Sequence, residues 1–198
     1  MAFEALLQEY ERRRAKALAM GGEDKLAKRR SRGQLNAPEG VAGLVDAGSF
    51  IESGLFGTSG VYPEQADETG CDGKIAGFAK LDGRDICLVV NDFTVKGSST
   101  SATNSKKVGH VKRTATERGM PLVVIGESTG ARLPDAMGSR GMGLLLGNDI
   151  TQFRRLRETP LVAAALGPSF GSSAWLAWCS DFAVIAKGST MAGSWPPL

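Results

Sequence analysis

The sequence predicts a layered α/β fold, and three observations carry that prediction. Two stretches repeat one pattern. Residues 121–125 run into Gly126-Glu127-Ser128-Thr129-Gly130-Ala131-Arg132, and residues 160–166 run into Gly167-Pro168-Ser169-Phe170-Gly171-Ser172-Ser173-Ala174-Trp175. Each is a short apolar run, as of a buried strand, that breaks at a glycine turn and starts a helix. The third observation is a pair of strand-like runs, 74–81 and 86–90, on either side of Asp82-Gly83, a strong two-residue hairpin signal. Strands that alternate with helical segments bury their apolar faces by layering helices on a sheet.

Along the chain, the spacing of Phe3, Leu6, Leu7 and Tyr10 predicts a helix over 3–20, closed by Gly21-Gly22. Arg12, Arg13, Arg14 and Lys16 follow the apolar positions, and 25–32 is a second basic stretch. Residues 1–40 are therefore read as an N-terminal helical basic arm. Such an arm is either solvated and docked on a partner subunit, or in contact with the phosphates of an anionic ligand. Phe50-Ile51-Glu52 and Leu55-Phe56 predict a short strand and turn, and 57–73 reads as an exposed loop. After the hairpin come Asn91-Asp92-Phe93-Thr94-Val95 and the small polar loop Gly97-Ser98-Ser99-Thr100-Ser101. A helix is expected over 106–118, closed by Gly119. Another is expected over 149–157, with Ile150, Phe153 and Leu156 inward and Arg154, Arg155 and Arg157 outward. Gly138, Gly141, Gly143 and Gly147 suit a ligand-facing loop or a tight helix contact. The spacing of Trp175 and Trp178 is read as core packing, and 181–186 as the next strand.

Composition excludes several function classes. The chain has 198 residues, 42% hydrophobic and 23% charged, which is ordinary globular usage. The net charge of +3 suits an anionic small molecule. The basic stretches lack interleaved aromatics, so no nucleic-acid partner is expected. No apolar run approaches the ~20 residues of a membrane span, and Glu4, Glu9 and Glu11 interrupt the N-terminus where a signal would be apolar. Cys71, Cys87 and Cys179 lie far apart, and the aspartates have no ligand spacing, so neither a metal nor a disulfide is expected. A reducing, cytoplasmic setting fits that cysteine usage.

Both glycine turns match the G-x-S-x-G elbow of serine hydrolases. The single histidine, His110, precedes both serines and is read as a solvated residue on an exposed basic helix with Lys106, Lys107, Lys112 and Arg113, so no triad can be assembled in chain order. What remains is the main chain. Glycine turns let backbone approach a ligand closely, and free N–H groups at a helix start point at negative charge. A donor of this kind is worth about 3 kcal/mol to a developing oxyanion. The chemistry it suits is a thioester that becomes an enolate; otherwise the turns are only tight strand–helix connections.

The sequence resembles the carboxyltransferase β subunits of biotin-dependent acyl-CoA carboxylases of the propionyl-CoA type, members of the crotonase-like superfamily. Four segments carry the resemblance. The first is 14–50, with Ala17-Leu18-Ala19-Met20-Gly21-Gly22 and Asp46-Ala47-Gly48-Ser49-Phe50; the second is Asn91-Asp92-Phe93-Thr94-Val95-Lys96-Gly97-Ser98-Ser99. The third is Ser128-Thr129-Gly130-Ala131-Arg132-Leu133, and the fourth Gly167-Pro168-Ser169-Phe170-Gly171-Ser172-Ser173-Ala174. Thr129, Ser98, Ser172 and Ser173 stand where the family usually has glycine, and 33–40 is less charged than usual.

The resemblance implies a crotonase/ClpP-like fold of repeated ββα units, an incomplete N-terminal carboxyltransferase domain over 41–198. It implies biotin on a separate carrier protein, acyl-CoA as substrate, a biotin carboxylase or carrier subunit as partner, and a homo-oligomer. Carboxybiotin would release carbon dioxide, the biotin would take the α-proton, and the acyl enolate would attack the carbon dioxide. By analogy Thr129, Gly130, Gly171 and Ser172 form the oxyanion holes, and Gly97, Ser98, Ser99, Ala131 and Arg132 bind the cofactor. The chain stops within the family's first domain, so it is expected to be inactive alone. Two rivals stand beside this reading. One is a decarboxylase subunit of the same superfamily, and the other is a non-catalytic CoA-binding or assembly module.

Overall fold

The hairpin is the seed of the sheet. In a computed structural model, which describes residues 2–61, 63–136 and 158–194, β2 (Lys74–Leu81) and β3 (Arg84–Asn91) pair antiparallel. Asp82 and Gly83 both have positive φ, 50° and 75°, as a type I′ turn requires. β1 (Ile51–Glu52) pairs antiparallel with β2. Beyond β3 the pairing is parallel. It runs through β4 (Leu122–Ile125), β6 (Leu161–Ala165) and β8 (Phe182–Ile185), in the order β1-β2-β3-β4-β6-β8. Parallel neighbours need a long crossover, and α4 (Ala102–Arg118) supplies it between β3 and β4.

A second sheet is made from the turns themselves. β5 (Ser128–Thr129), β7 (Ser169–Phe170) and β9 (Met191–Ala192) pair in parallel in that order. Each of β4, β6 and β8 is thus followed by a turn and a two-residue strand, and the first two units continue into α5 (Leu133–Ala136) and α6 (Ser172–Trp178). These are the expected ββα units. The turns do not pass straight into helix, because a short strand intervenes.

The large sheet is covered on both faces. Alternate residues of β3 divide between two clusters, as the period of a strand requires. Cys87 and Val89 pack with Val111, Ala115, Leu122, Leu161 and Leu176, while Leu88 and Val90 pack with Ala37 and Val41. The second cluster rests on α3 (Ala37–Leu44), a helix the sequence reading did not anticipate and one that crosses residue 40. Its signal is legible afterwards. Asn36 precedes it, Pro38 stands in its first turn, and the Glu39 carboxylate accepts the Asn36 N–H at 2.8 Å, the reach-back of a capping box.

Four expectations are corrected. α4 begins at Ala102, not at 106, because Ser101 and Asn104 cap it reciprocally: Ser101 Oγ accepts the Asn104 N–H at 3.1 Å and Asn104 Oδ1 the Ser101 N–H at 2.9 Å. Its basic row is not wholly exposed. His110 is exposed and edge-on to Phe78, but Lys107 is buried against Glu52 at 2.9 Å. The stretch 57–73 is not an exposed loop throughout. It holds 3-10 turns at Pro63–Glu68 and Gly70–Gly73, and the second is fully buried. Trp175 and Trp178 are not core residues; they are 54% and 55% exposed. They do share one helical face, but Ala174, Leu176 and Ala177 take the buried side of α6, with Leu176 in the core on the sheet.

The N-terminal arm forms α1 (Ala2–Leu18) and α2 (Glu23–Arg30) and docks on the chain's own body. Ala17 and Leu26 are buried, Gly21 N–H donates to Thr94 Oγ1 at 3.1 Å, and Arg29 pairs with Glu127 at 2.7 Å. Phe3, Leu6, Leu7 and Tyr10 remain exposed, with the Tyr10 ring edge-on to Phe56. The expected helix over 149–157 and Gly138, Gly141, Gly143 and Gly147 lie outside the described residues.

Candidate active site

The small sheet brings the two glycine turns together. Ser128 pairs with Ser169 and Thr129 with Phe170, and Ser128 N–H donates to Pro168 O at 2.8 Å. Gly130 and Gly171 then lie against each other. A Cβ on Gly171 would stand 3.2 Å from Gly130 Cα. Gly171 also has φ 62° and ψ −126°, a conformation open almost only to glycine.

The loop after β3 closes over the first turn. Thr100 N–H donates to Gly130 O at 2.7 Å, and Arg132 N–H donates to Thr100 O at 2.8 Å. Ser128 Oγ donates to Ser98 O at 3.1 Å, and Thr129 Oγ1 to Gly97 O at 3.3 Å. Across the seam, the hydroxyls of Thr100 and Ser172 are 2.9 Å apart. Gly97, Ser98, Ser99, Thr129, Gly130, Ala131, Arg132, Gly171 and Ser172 therefore converge on one place from three separate segments.

Among the described residues, the main-chain donors divide into engaged and unengaged groups. Gly130 N–H donates to Ser128 Oγ at 3.1 Å, and Gly171 N–H to Ala192 O at 3.3 Å. Both glycine amides are thus used internally. The bridge between Thr100 and Ala131 is closed by Gly130 O and Arg132 N–H, which leaves the Ala131 N–H outside it. Trp175 N–H to Gly171 O is the first bond of α6, so the Ser172 N–H lies outside the helix ladder. The glycines shape the seam, and the residues just after them offer the donors.

Beneath the seam is a buried polar network. Arg132 donates to Asp72 at 2.6 Å and to Ser99 Oγ at 3.1 Å, and lies 3.5 Å from Asp135. Asp72 also accepts from the Ser101 hydroxyl and from the Asn104 N–H at 3.2 Å. The Asp72 and Arg132 side chains are 0% and 6% exposed. The Arg132 guanidinium is therefore a strut between the first turn, the 70–73 turn and the start of α4. Burial pushes the Asp135 carboxyl above its usual range, with Arg132 opposing. Burial likewise pushes the Cys71 thiol up to about 12, and Glu52 adds to it, so this is no thiolate nucleophile.

Lys74, 4% exposed, donates to Asn91 Oδ1 at 2.8 Å and to Ser98 O at 2.9 Å. Burial lowers its pKa from 10.5 to about 7, with Asp72 opposing and Arg132 reinforcing. Below about pH 7 both folded and unfolded chains hold the proton, and the folded state bears the full cost of the buried charge. As pH rises from about 7 towards 10.5, the folded chain sheds the proton first and stability rises. Urea unfolding should therefore show the wild type gaining on Lys74→Met through that window; a flat difference would refute a perturbed amine.

Asp72, Lys74, Asn91 and the Arg29–Glu127 pair escaped sequence reasoning. Lys74 alone had a local signal, a charge at the head of the apolar run Ile75-Ala76. Among the described residues, no group of three or more His, Cys, Asp or Glu is placed to hold a metal, and no helix is long and apolar enough to cross a membrane.

The family model for the carboxyl transferase domain matches residues 28–197. The chain belongs to the carboxyl transferase family. It is similar to the propionyl-CoA carboxylase beta chain of Roseobacter denitrificans (strain ATCC 33942 / OCh 114), 31% identical over 93% of this chain and 36% of that one. A single-chain, multi-domain long-chain acyl-CoA carboxylase superposes with a TM-score of 0.86 at 26% identity, covering 97% of this chain and 20% of that one. Transcarboxylase 12S, described as a hexamer assembly with methylmalonyl-coenzyme A and methylmalonic acid bound, superposes with a TM-score of 0.83 at 28% identity. That match covers 98% of this chain and 38% of the transcarboxylase chain. This carboxyl transferase chain spans little more than a third of the length of the curated relatives it matches. Its ββα architecture is the crotonase-like carboxyltransferase fold.

Proposed function

We propose that this chain supplies the acyl-thioester half of an acyl-CoA carboxyltransferase site, acting in carboxyl transfer between biotin and the α-carbon of an acyl-CoA. The observation that carries the reading is the seam itself. Two glycine turns pack so closely that a Cβ on Gly171 would stand 3.2 Å from Gly130 Cα, and main-chain donors follow immediately after each. The Ala131 and Ser172 N–H groups would hold the thioester oxygen, and the Thr100, Thr129 and Ser172 hydroxyls wall the same place. These donors favour the enolate over the thioester, because charge grows on that oxygen as the α-proton leaves.

Biotin, if the reading holds, would supply both the transferred carboxyl group and the base. The donor set fits that division, since the seam is built from amides and hydroxyls while the charged groups nearby are committed, Arg132 to Asp72 and Lys74 to Asn91 Oδ1 and Ser98 O. The residues of this chain would orient the thioester and stabilise charge. The biotin carrier, a biotin carboxylase subunit and further copies of the chain belong to the same proposal, as does the division into a basic arm over 1–40 and a body over 41–198.

Calorimetric titration with coenzyme A, acetyl-CoA and propionyl-CoA tests the reading. A thioester should bind several-fold more tightly than free coenzyme A. Equal affinity would leave a coenzyme A-binding module and remove the oxyanion role.

A further inference from the structure

Resting on the reading that the seam binds acyl-CoA thioesters, we infer that Lys74 is a positioning residue that holds its two halves in register. The amine lies on no wall of the seam. It enters from the first residue of β2 and donates in two directions. One bond, 2.9 Å to Ser98 O, fixes the loop after β3; that same carbonyl accepts Ser128 Oγ from the first turn at 3.1 Å. The other, 2.8 Å to Asn91 Oδ1, orients the Asn91 amide. Asn91 Nδ2 then donates to Ser173 Oγ at 3.0 Å, in the first turn of α6. One nitrogen thus reaches the first glycine turn through Ser98 and the second through Asn91 and Ser173.

The chemistry suits a brace. An ammonium has three N–H donors and a neutral amine has two, so both bonds survive in either protonation state. Among the described residues the two turns are otherwise joined by a pair of two-residue strands and two hydroxyl contacts, Thr100 with Ser172 and Ser169 Oγ donating to Gly126 O at 3.2 Å, which is little restraint for a site that must hold donors to within a fraction of an ångström. A hydrophobic residue of similar volume at position 74 would fill the space, leave Asn91 Oδ1 without its donor and leave Ser98 O with the Ser128 hydroxyl alone.

The test compares the full chain with Lys74→Met, Ser173→Ala and the double variant, by backbone amide exchange and by titration with propionyl-CoA and coenzyme A. For Lys74→Met, amides at 96–101, 128–132 and 171–175 should exchange about tenfold faster, the worth of one net hydrogen bond, with β2, β3 and α4 unchanged. Propionyl-CoA should weaken more than coenzyme A. Ser173→Ala should loosen 171–175 and leave 96–101 protected, and its effect should largely vanish on top of Lys74→Met. Exchange that rises evenly through the chain, or not at all in these segments, overturns the inference. Should Lys74→Met fail to fold, Ser173→Ala still decides, because unchanged exchange at 171–175 breaks the chain of bonds. If the wild type binds neither propionyl-CoA nor coenzyme A, the acyl-CoA reading falls, and the exchange pattern still judges the brace.

Discussion

Replacing Arg132 with methionine is expected to cost about 3–5 kcal/mol of folding stability, the range for removing one partner of a buried ion pair. The cost arises from what is left behind. Asp72 has no exposure, and without the guanidinium its hydrogen bonds would come from the Ser101 hydroxyl and the first turn of α4, with the buried Lys74 amine as a remaining electrostatic neighbour. A helix N-terminus offsets part of a carboxylate's charge but falls well short of a hydrogen-bonded guanidinium at 2.6 Å. Asp135, already raised by burial, would lose the cation that opposes the rise. Urea unfolding of the single variant reads the effect. A loss below about 1 kcal/mol would place the pair among solvent-screened contacts and contradict its burial. Removing both charges, as Arg132→Met with Asp72→Asn, should recover part of the loss, since the amide removes the orphaned charge, tolerates the positive φ of 47° and keeps an acceptor for the Ser101 hydroxyl and the Asn104 N–H.

Gly171→Ala is expected to abolish the preference for thioester over free coenzyme A. The added methyl would meet the Gly130 backbone at 3.2 Å, and neither side of that contact is a flexible chain end. The torsions of Gly171 add about 1–3 kcal/mol of strain for any residue with a Cβ. The relief available is to part the turns, which moves the Ala131 and Ser172 amides away from a common point. Gly188→Ala is the control. Its φ is also positive, at 84°, but nothing lies within 4 Å of its would-be Cβ. It should lose stability and keep the thioester preference. Equal behaviour of the two variants would mean that the contact between the turns is irrelevant to binding.

How much of this was legible in the sequence depends on the range of the interaction. The Asp82-Gly83 turn, the Gly119 helix stop and the glycine turns follow from local backbone chemistry, and all three were readable. The ββα repeat and the convergence of the site residues were read through resemblance, because nothing local says that residues near 97, 130 and 171 meet. The capping signal before α3 was local and was overlooked. The burial of 69–73 was not legible, since Asp72 is drawn inside by partners 29, 32 and 60 residues away. The outward face of Trp175 and Trp178 was a matter of competition. Their size argued for the core, but Leu176 with Ala174 and Ala177 takes the buried side of α6. Lys74 was hidden for the opposite reason: a charged side chain in a strand is ordinarily read as its solvent face, and this one is turned inward to serve the main chain.

The small sheet also sets an order of events during synthesis. The hairpin and its crossover helix can pair as soon as residue 125 has left the ribosome, from contacts close in sequence. The second turn is fastened much later, by Ser169 N–H on Thr190 O and Gly171 N–H on Ala192 O. Until residue 192 emerges, the nascent chain has most of its core and an unlatched site. A proteolytic cut just before 190 would unlatch the second turn again while leaving the hairpin and its helix intact.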